Sequence, residues 1–317
     1  MAEENNTSTL QAPDPLPIPS KEPVFDDTPA RGPLAEAWHR LRKIPAAWTC
    51  LWIIVALLVV SLISAFVPLT PYSFDQTSTE ILVKPCAQHI MGTDELGRDL
   101  LTRIIFGARV SISIGVFTAL IAFVIGTVYG SVSGFYGGKV DAVLMRVVDI
   151  LYSLPDLLVM ILIGVIVGRD KGTLGVLMAL GLVSWKSTAR LVRAQLLQLK
   201  HEEFVDAARA SGQAGVPIVL KHLLPNAMGP IIVTLTFIVP YAILSESTLS
   251  FIGLGLSPPA ASWGTLASDG WRALRSDPHL IFFPSMFIFI TVLSFNLLGD
   301  GLRDALDPRT RFTKRSE

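Results

Sequence analysis

The sequence predicts an all-α membrane protein of six transmembrane helices with both termini on the cytoplasmic side. Three observations lead there. Hydrophobic residues make up 51% of the 317 residues and charged residues 16%, against roughly 25% charged in soluble domains, and the mean hydropathy is +0.53. The apolar residues gather in long uncharged runs, the mark of membrane-spanning helices. With the N-terminus inside, a six-span arrangement puts eighteen of the 26 Lys and Arg on the inner side and eight on the outer side, as the positive-inside rule requires. Removing one of the weaker spans reverses the later loops and sends the basic C-terminus outside.

Residues 1–33 are polar and Pro-rich (QAPDPLPIPSKEP), too poor in apolar side chains to bury a core, and are expected to be a disordered cytoplasmic tail. Residues 34–47 contain AEAWHRLRKIP, a basic amphipathic stretch suited to the membrane surface. The six-span domain then runs over 48–309, and 310–317 is a basic C-terminal tail.

The first span is Thr49 to Val67, uncharged and of a length that crosses ~30 Å of hydrocarbon. Ahead of the second span lies GTDELGRDLLTRIIFGA. Thr93 or Asp94 is placed to cap a helix, and Leu100, Leu101, Ile104, Ile105 and Ala108 form a stripe at helical spacing. That stripe predicts a helix lying on the outer membrane surface. Asp94 and Arg98 in this stretch are candidates for contact with an external partner or for an outer gate.

Val110 to Val132 is the second span. Ala142 to Val167 is the third and carries Arg146, Asp149 and Asp156. Arg146 and Asp149, three apart, are expected to pair, and Pro155 is expected to kink the helix. Leu174 to Trp185 is a short fourth run that must continue into WKSTAR. Met228 to Phe251, the fifth, contains Pro240 and Glu246, and Leu280 to Leu298 is the sixth. Ionisable groups inside spans usually face protein or water, which makes Asp156 and Glu246 candidates for a translocation path. After the fifth span, GLGLSPPAASWG cannot continue a helix, because Gly253, Gly255, Pro258 and Pro259 interrupt it. It is read as an outer loop near a pore mouth, with Trp263 and Trp271 at the interface, and Trp263 joins Asp94 and Arg98 as a candidate for the outer gate or for contact with an external partner.

Between the fourth and fifth spans stands a loop at 193–228, RAQLLQLKHEEFVDAARASGQAGVPIVLKHLLPNAM. Connections between helices usually run only 2–8 residues. Helical signals cover His201 to Ser211, with Gly212 placed as the glycine that ends the helix. Pro217 suits the first turn of a second short helix, and Pro225 is expected to end it. Ala207, Ala208 and Ala210 are small enough to let a partner surface approach, so a basic side chain at Ala208 is expected to block docking.

Nothing in the chain reads as catalysis. GxxxxGK[ST], GxSxG and HExxH are missing, and the five histidines are scattered. Cys50 and Cys86 lie at different depths, which argues against a disulfide, and no Cys/His spacing suggests a metal site. The formal net charge is zero and gives no basis for nucleic-acid binding.

DAARASG…HLLP resembles the Glu-Ala-Ala loop of the permease subunits of ATP-binding cassette (ABC) importers. The matching residues are Asp206, Ala207, Ala208, Gly212, Leu224 and Pro225. Asp206 replaces the family's Glu, and His222 stands at a usually apolar position, which resembles the peptide-importer branch. His89 to Gly115, Thr248 to Trp271 and the ending NLLGDGLRDALDPR are similar to the "C"-type permease of the peptide/nickel family of type I ABC importers. The resemblance covers roughly Trp48 to Arg309. It implies that Phe204 to Pro225 couples to an ATPase. It also implies a second homologous permease, two ABC ATPase subunits that hold ATP and Mg while this chain holds no cofactor, and an extracytoplasmic substrate-binding protein. The expected location is the bacterial cytoplasmic (inner) membrane, and the expected cargo is di- or oligopeptide. Nickel chelates or other small solutes are the alternative cargo. An ion-coupled secondary transporter using Asp156 and Glu246 is the alternative mechanism.

Overall fold

A chain in hydrocarbon must satisfy its backbone polar groups internally, and helices do so within one segment. In the computed structural model, residues 33–168 and 171–306 are described; their regular structure is helical, with irregular segments at 64–99 and 252–262 and no strand among them beyond an isolated bridge between Thr93 and Asp99. The Pro-rich tail, apart from Pro33, and the basic C-terminal segment 310–317 lie outside the described residues.

Helix α1 (Pro33–Leu41) is followed by α2 (Pro45–Ile63), whose proline occupies the first turn, where a missing N–H costs nothing. Helix α3 (Leu100–Tyr136) runs 37 residues without a break. The surface helix expected before the second span is therefore the first third of that span. Leu100, Ile104, Ala108 and Ile112 are buried together with Ala261, Trp263, Leu266 and Leu280, so the stripe faces protein rather than headgroups. The capping residue is Asp99, not Thr93 or Asp94; its carboxylate accepts from the Thr102 N–H at 2.8 Å.

The segment expected as the third span is broken. Helices α4 (Gly138–Ser153) and α5 (Asp156–Val167) meet at an 87° bend. Pro155 supplies no N–H and drives Leu154 into extended backbone (φ −90, ψ 131). Helix α6 (Thr173–Leu199) leads to α7 (Glu203–Ala210). A short α8 (Val216–Ile218) passes through a π turn at Val219–Leu223 into α9 (Leu224–Phe251). Helix α10 (Trp263–Arg272) and α11 (His279–Leu306) complete the chain.

Four helical stretches among the described residues are long and apolar enough to cross a membrane: Pro45–Ile63, Leu100–Tyr136, Val216–Phe251 and His279–Leu306. The bent α4–α5 pair would make a fifth. Helix α6 is 27 residues long, about 40 Å at 1.5 Å per residue, but carries Lys186, Arg190 and Arg193 in its second half.

Helices α3 and α6 make the most extensive contact in the fold. Its basis is a row of glycines at i, i+4 spacing. A Cβ on Gly126 would stand 2.6 Å from Thr188 Cβ, one on Gly130 2.4 Å from the Ala189 carbonyl oxygen, and one on Gly134 2.9 Å from the Arg193 carbonyl oxygen. Only glycine lets the two backbones come this close, the packing device of membrane helix pairs. Helix α9 packs against both α3 and α6, and α11 lies against α9, α10 and α2.

Candidate functional site

The loop read as a docking element is built from the ends of two spans. Helix α6 stops at Leu199, and α7 begins four residues later with Glu202 in extended backbone as its first flanking residue. Glu203 and Asp206 sit in the first turn of α7 and Arg209 in the last, the order favoured by the helix dipole. Asp206 and Arg209 form an exposed ion pair at 2.9 Å. The helix ends as expected. Gly212 takes φ +82, its N–H donates to Arg209 O at 2.9 Å, and Gln213 N–H donates to Ala208 O at 3.1 Å. This pair of bonds is the Schellman arrangement, which needs a residue free to be left-handed.

Pro225 does not end the next helix. Leu224 N–H reaches back to Val219 O in a π turn, and that wider turn admits the proline at the start of α9, which continues to Phe251. Asn226 Nδ2 donates to His222 O at 2.7 Å. His222 Nε2 meets Gln213 Oε1 at 2.9 Å and ties the turn after α7 to the π segment.

The faces of α7 differ from the sequence expectation at one position. Val205 and Ala208 are buried, 0% and 6% exposed, and Val205 packs in one cluster with Val192, Leu196, Ile218, Val219 and Leu223. Phe204 (37% exposed), Asp206, Ala207 and Ala210 point outward. Ala208 is thus part of the loop's own packing, and a bulky group there would disturb α7 itself. Ala207 and Phe204 are the residues a partner can reach; Gly212 and Pro225 are also exposed, and Leu224 is half-buried.

Glu246, on α9, has 0% exposure. Its Oε1 accepts from Ser250 Oγ at 2.7 Å and from Ser262 Oγ at 2.6 Å, while Oε2 has no hydrogen-bond partner among the described residues. Ser262 is the first flanking residue of α10, in a capping box with Thr265. Next to it, Trp263 is 0% exposed; its backbone N–H donates to Ser111 Oγ at 3.1 Å and its indole N–H to Ile104 O at 3.0 Å. The expectation that Trp263 sits at the interface is therefore corrected: the tryptophan locks α10 to α3. Trp271, in contrast, is exposed. Glu246 is thus enclosed between α9 and α10.

Asp94 and Arg98 also spend their polar atoms within the fold. Asp94 Oδ2 accepts from Arg98 Nε at 2.8 Å and from Arg103 Nη1 at 2.7 Å, and its Oδ1 accepts from the N–H groups of Leu96 and Arg98. Nearby Asp269, on α10, has its carboxyl pushed up by burial, an effect that the Arg272 and Arg98 guanidiniums partly offset.

Asp156, the first residue of α5, is 37% exposed. Its carboxylate pairs with Lys186 of α6 and accepts from the Tyr241 hydroxyl of α9 at 3.2 Å. Asp149 pairs with Arg190 of α6 at 2.8 Å rather than with Arg146. The spacing rule looked along one helix, whereas the cation that reaches Asp149 comes from the neighbouring one. Tyr152 lies under both cations, with Lys186 Nζ 4.7 Å and Arg190 Cζ 4.2 Å from its ring centre.

These features define an all-helical, multi-pass membrane protein with a surface loop suspended between two long helices and, among the described residues, no catalytic constellation. The chain belongs to the family of binding-protein-dependent transport system inner membrane components, whose profile matches residues 126–312. A second profile, the N-terminal TM domain of oligopeptide transport permease C, matches residues 32–85. Over 278 residues the chain is 48% identical to the dipeptide transport system permease protein DppC of Bacillus subtilis (strain 168), covering 87% of this chain and 86% of that one. It is 44% identical over 265 residues to the oligopeptide transport system permease protein OppC of Escherichia coli (strain K12), covering 81% and 87%. Identity is 37% over 293 residues, covering 91% and 95%, to the glutathione transport system permease protein GsiD of Escherichia coli O6:K15:H31. Among solved structures, a chain of the inward-facing MetNI methionine ABC transporter superposes with a TM-score of 0.55 at 19% identity, covering 66% of this chain and 98% of that one; this likeness concerns the fold. The protein is accordingly an inner-membrane transport subunit and not an enzyme.

Proposed function

We propose that this chain is the "C"-type permease of an ABC importer that carries di- or oligopeptides across the bacterial cytoplasmic membrane. The observation that carries the reading is α7, an eight-residue helix held between α6 and α9 with Phe204 and Ala207 turned outward. In this reading Phe204, Asp206, Ala207, Ala208, Gly212, Leu224 and Pro225 form the coupling element. The first three supply contact with an ATPase groove, and the rest supply its shape. The membrane domain has six spans, α2, α3, α4–α5, α6, α9 and α11, with both termini cytoplasmic. The peptide cargo is supported by 48% identity to a dipeptide permease and 44% to an oligopeptide permease.

The assembly contains a second, homologous permease, two ABC ATPases that hold ATP and Mg, and an external binding protein that delivers the substrate; this chain carries no cofactor. ATP draws the two ATPases together, and the pull on α7 rocks the spans between inward- and outward-open states, a nucleotide-driven population shift.

The test is affinity isolation of the intact assembly in mild detergent. The parent chain is expected to retain the second permease and both ATPases. Ala207→Arg is expected to release the ATPases by about tenfold or more, as unpaired charges do when buried in an interface, while the second permease stays bound. ATPase retention unchanged in Ala207→Arg would falsify the docking reading.

A further inference from the structure

We infer that Asp156 is the positioning residue that transmits the movement of the ATPase-coupling loop to the broken span, and that its bond to Lys186 is the working joint. The inference rests on the docking reading of α7 and goes beyond it by naming where the displacement arrives.

Helix α6 is held on α3 by Gly126, Gly130 and Gly134, whose missing Cβ atoms leave the two backbones in contact. An interface of this kind slides poorly, because any shift drives a backbone atom into a neighbour. Helix α6 enters the coupling loop at Leu199, and the α8–π–α9 segment leaves it at Val216. A displacement of α7 therefore acts on both helices at once. Lys186 lies about 20 Å along α6 from Leu199.

The bent span is held differently. Val148 is the buried residue of α4 and Met160 that of α5, with Met145 and Leu151 packed in the cluster of the first and Val159, Ile161 and Ile163 in that of the second. Away from the bend, α4 is tied through Asp141 to Arg193 and Ser133 and through Asp149 to Arg190; at the bend itself the restraint is polar and runs through one cation. Lys186 of α6 pairs with Asp156, the first residue of α5. The same Nζ stands 3.5 Å from the Leu151 carbonyl oxygen in the last turn of α4 and 4.7 Å from the Tyr152 ring centre. One ammonium thus holds both sides of the break. Tyr241 of α9 completes the joint by donating to the second Asp156 oxygen at 3.2 Å.

Asp156 is where both helices that emerge from the coupling loop take hold of an 87° bend. Hinges absorb large dihedral changes over a few residues, and Leu154–Pro155 lies immediately before the joint. Lys186 is 6% exposed, so removing the Asp156 charge leaves a buried cation without its counter-ion, and the start of α5 loses its charged tie to α6.

The experiment is pulsed electron resonance on the complete assembly, with binding protein present and no cargo needed. Spin labels replace the exposed side chains of Phe117 on α3 and Leu162 on α5, with Cys50 and Cys86 changed to Ser. The parent is expected to show a change in label separation between the nucleotide-free state and the ATP state trapped with vanadate. Asp156→Asn is expected to lose that change while the ATPases stay bound at the parent stoichiometry. The exchange Asp156→Lys with Lys186→Asp is expected to restore it. Because the exchange removes the carboxylate from position 156, recovery cannot come from a substrate contact. Tyr241→Phe, which leaves the ion pair intact, is expected to narrow the change and carries the test if Asp156→Asn does not assemble.

An undiminished change in Asp156→Asn, or in Tyr241→Phe where Asp156→Asn fails, overturns the inference. So does an exchange variant that assembles with its ATPases and shows no change. If Ala207→Arg keeps its ATPases, the docking reading falls and takes the inference with it. If Ala207→Arg loses them and Asp156→Asn keeps the full change, the inference falls alone.

Discussion

The α3–α6 pair and the α4–α5 span lie side by side in the same solvent and are built by opposite rules. In α3, 19 of 37 residues are buried, among them Gly107, Gly115, Gly126, Gly130 and Gly134. In α4 and α5, Val148 and Met160 alone reach that state, while Val143, Leu158, Leu162 and Val165 are exposed. Lipid is as apolar as leucine, so exposing such side chains costs little in a membrane. What separates the two regions is backbone proximity, and backbone proximity decides which one is rigid. The glycine-packed pair has the character of a lever, and the bent span that of a part moved by it.

The sharpest way to break this comparison is one added methyl group at matched glycines. Gly130→Ala places a Cβ 2.4 Å from the Ala189 carbonyl oxygen and 2.8 Å from Val192 Cβ. Both neighbours belong to a packed helix and cannot turn aside. The expected loss is ~3 kcal/mol, read as a lower unfolding temperature by tryptophan fluorescence in detergent. Gly164→Ala on α5 meets no described atom within 4 Å and should gain up to ~1 kcal/mol from helix propensity. Equal effects at the two sites would dissolve the distinction.

The glycine row was fully visible in the sequence as GxxxGxxxG but stands inside a run whose uncharged character dominates its reading. The Schellman glycine at 212 and the break at Pro155 were legible because each depends on residues a few positions apart. The facing of α7 was not: an eight-residue helix has no stable orientation of its own, and the ends of α6 and α9 choose Val205 and Ala208 as its buried side. Pro225 misled for a related reason. A proline stops an α-helix that needs its N–H, but a π turn at Val219–Leu223 removes that need. The partner of Asp149 is Arg190, far along the chain, and only the fold brings the two together.

Carboxylates carry the same contrast. Glu246 is enclosed between α9 and α10, with its Oε1 accepting two serine hydroxyls and its Oε2 unpartnered among the described residues. Glu246→Ala removes the acceptor shared by the buried Ser250 and Ser262 hydroxyls and is expected to cost ~2 kcal/mol. Glu246→Gln retains the accepting oxygen and should remain within about 1 kcal/mol of the parent. If the two variants melt together, the serine bonds do not hold the outer loop to α9.

Asp149 supplies the small end of the scale. Its pair with Arg190 has ordinary geometry at 2.8 Å, and both side chains are about half exposed. Solvent can replace each partner, and holding two flexible side chains together costs entropy. Asp149→Asn should therefore shift stability by less than ~0.5 kcal/mol. It should also leave the ATP-dependent movement of α5 intact, because the Lys186 joint at the bend does not include the Asp149–Arg190 pair. Label separations measured in Asp149→Asn and Asp156→Asn, prepared in parallel, check the point directly. Loss of the movement in both would mean that the whole face of α4 and α5 toward α6 acts as one polar strip. Loss in Asp156→Asn alone places the restraint at the bend, where one buried cation holds the ends of two helices.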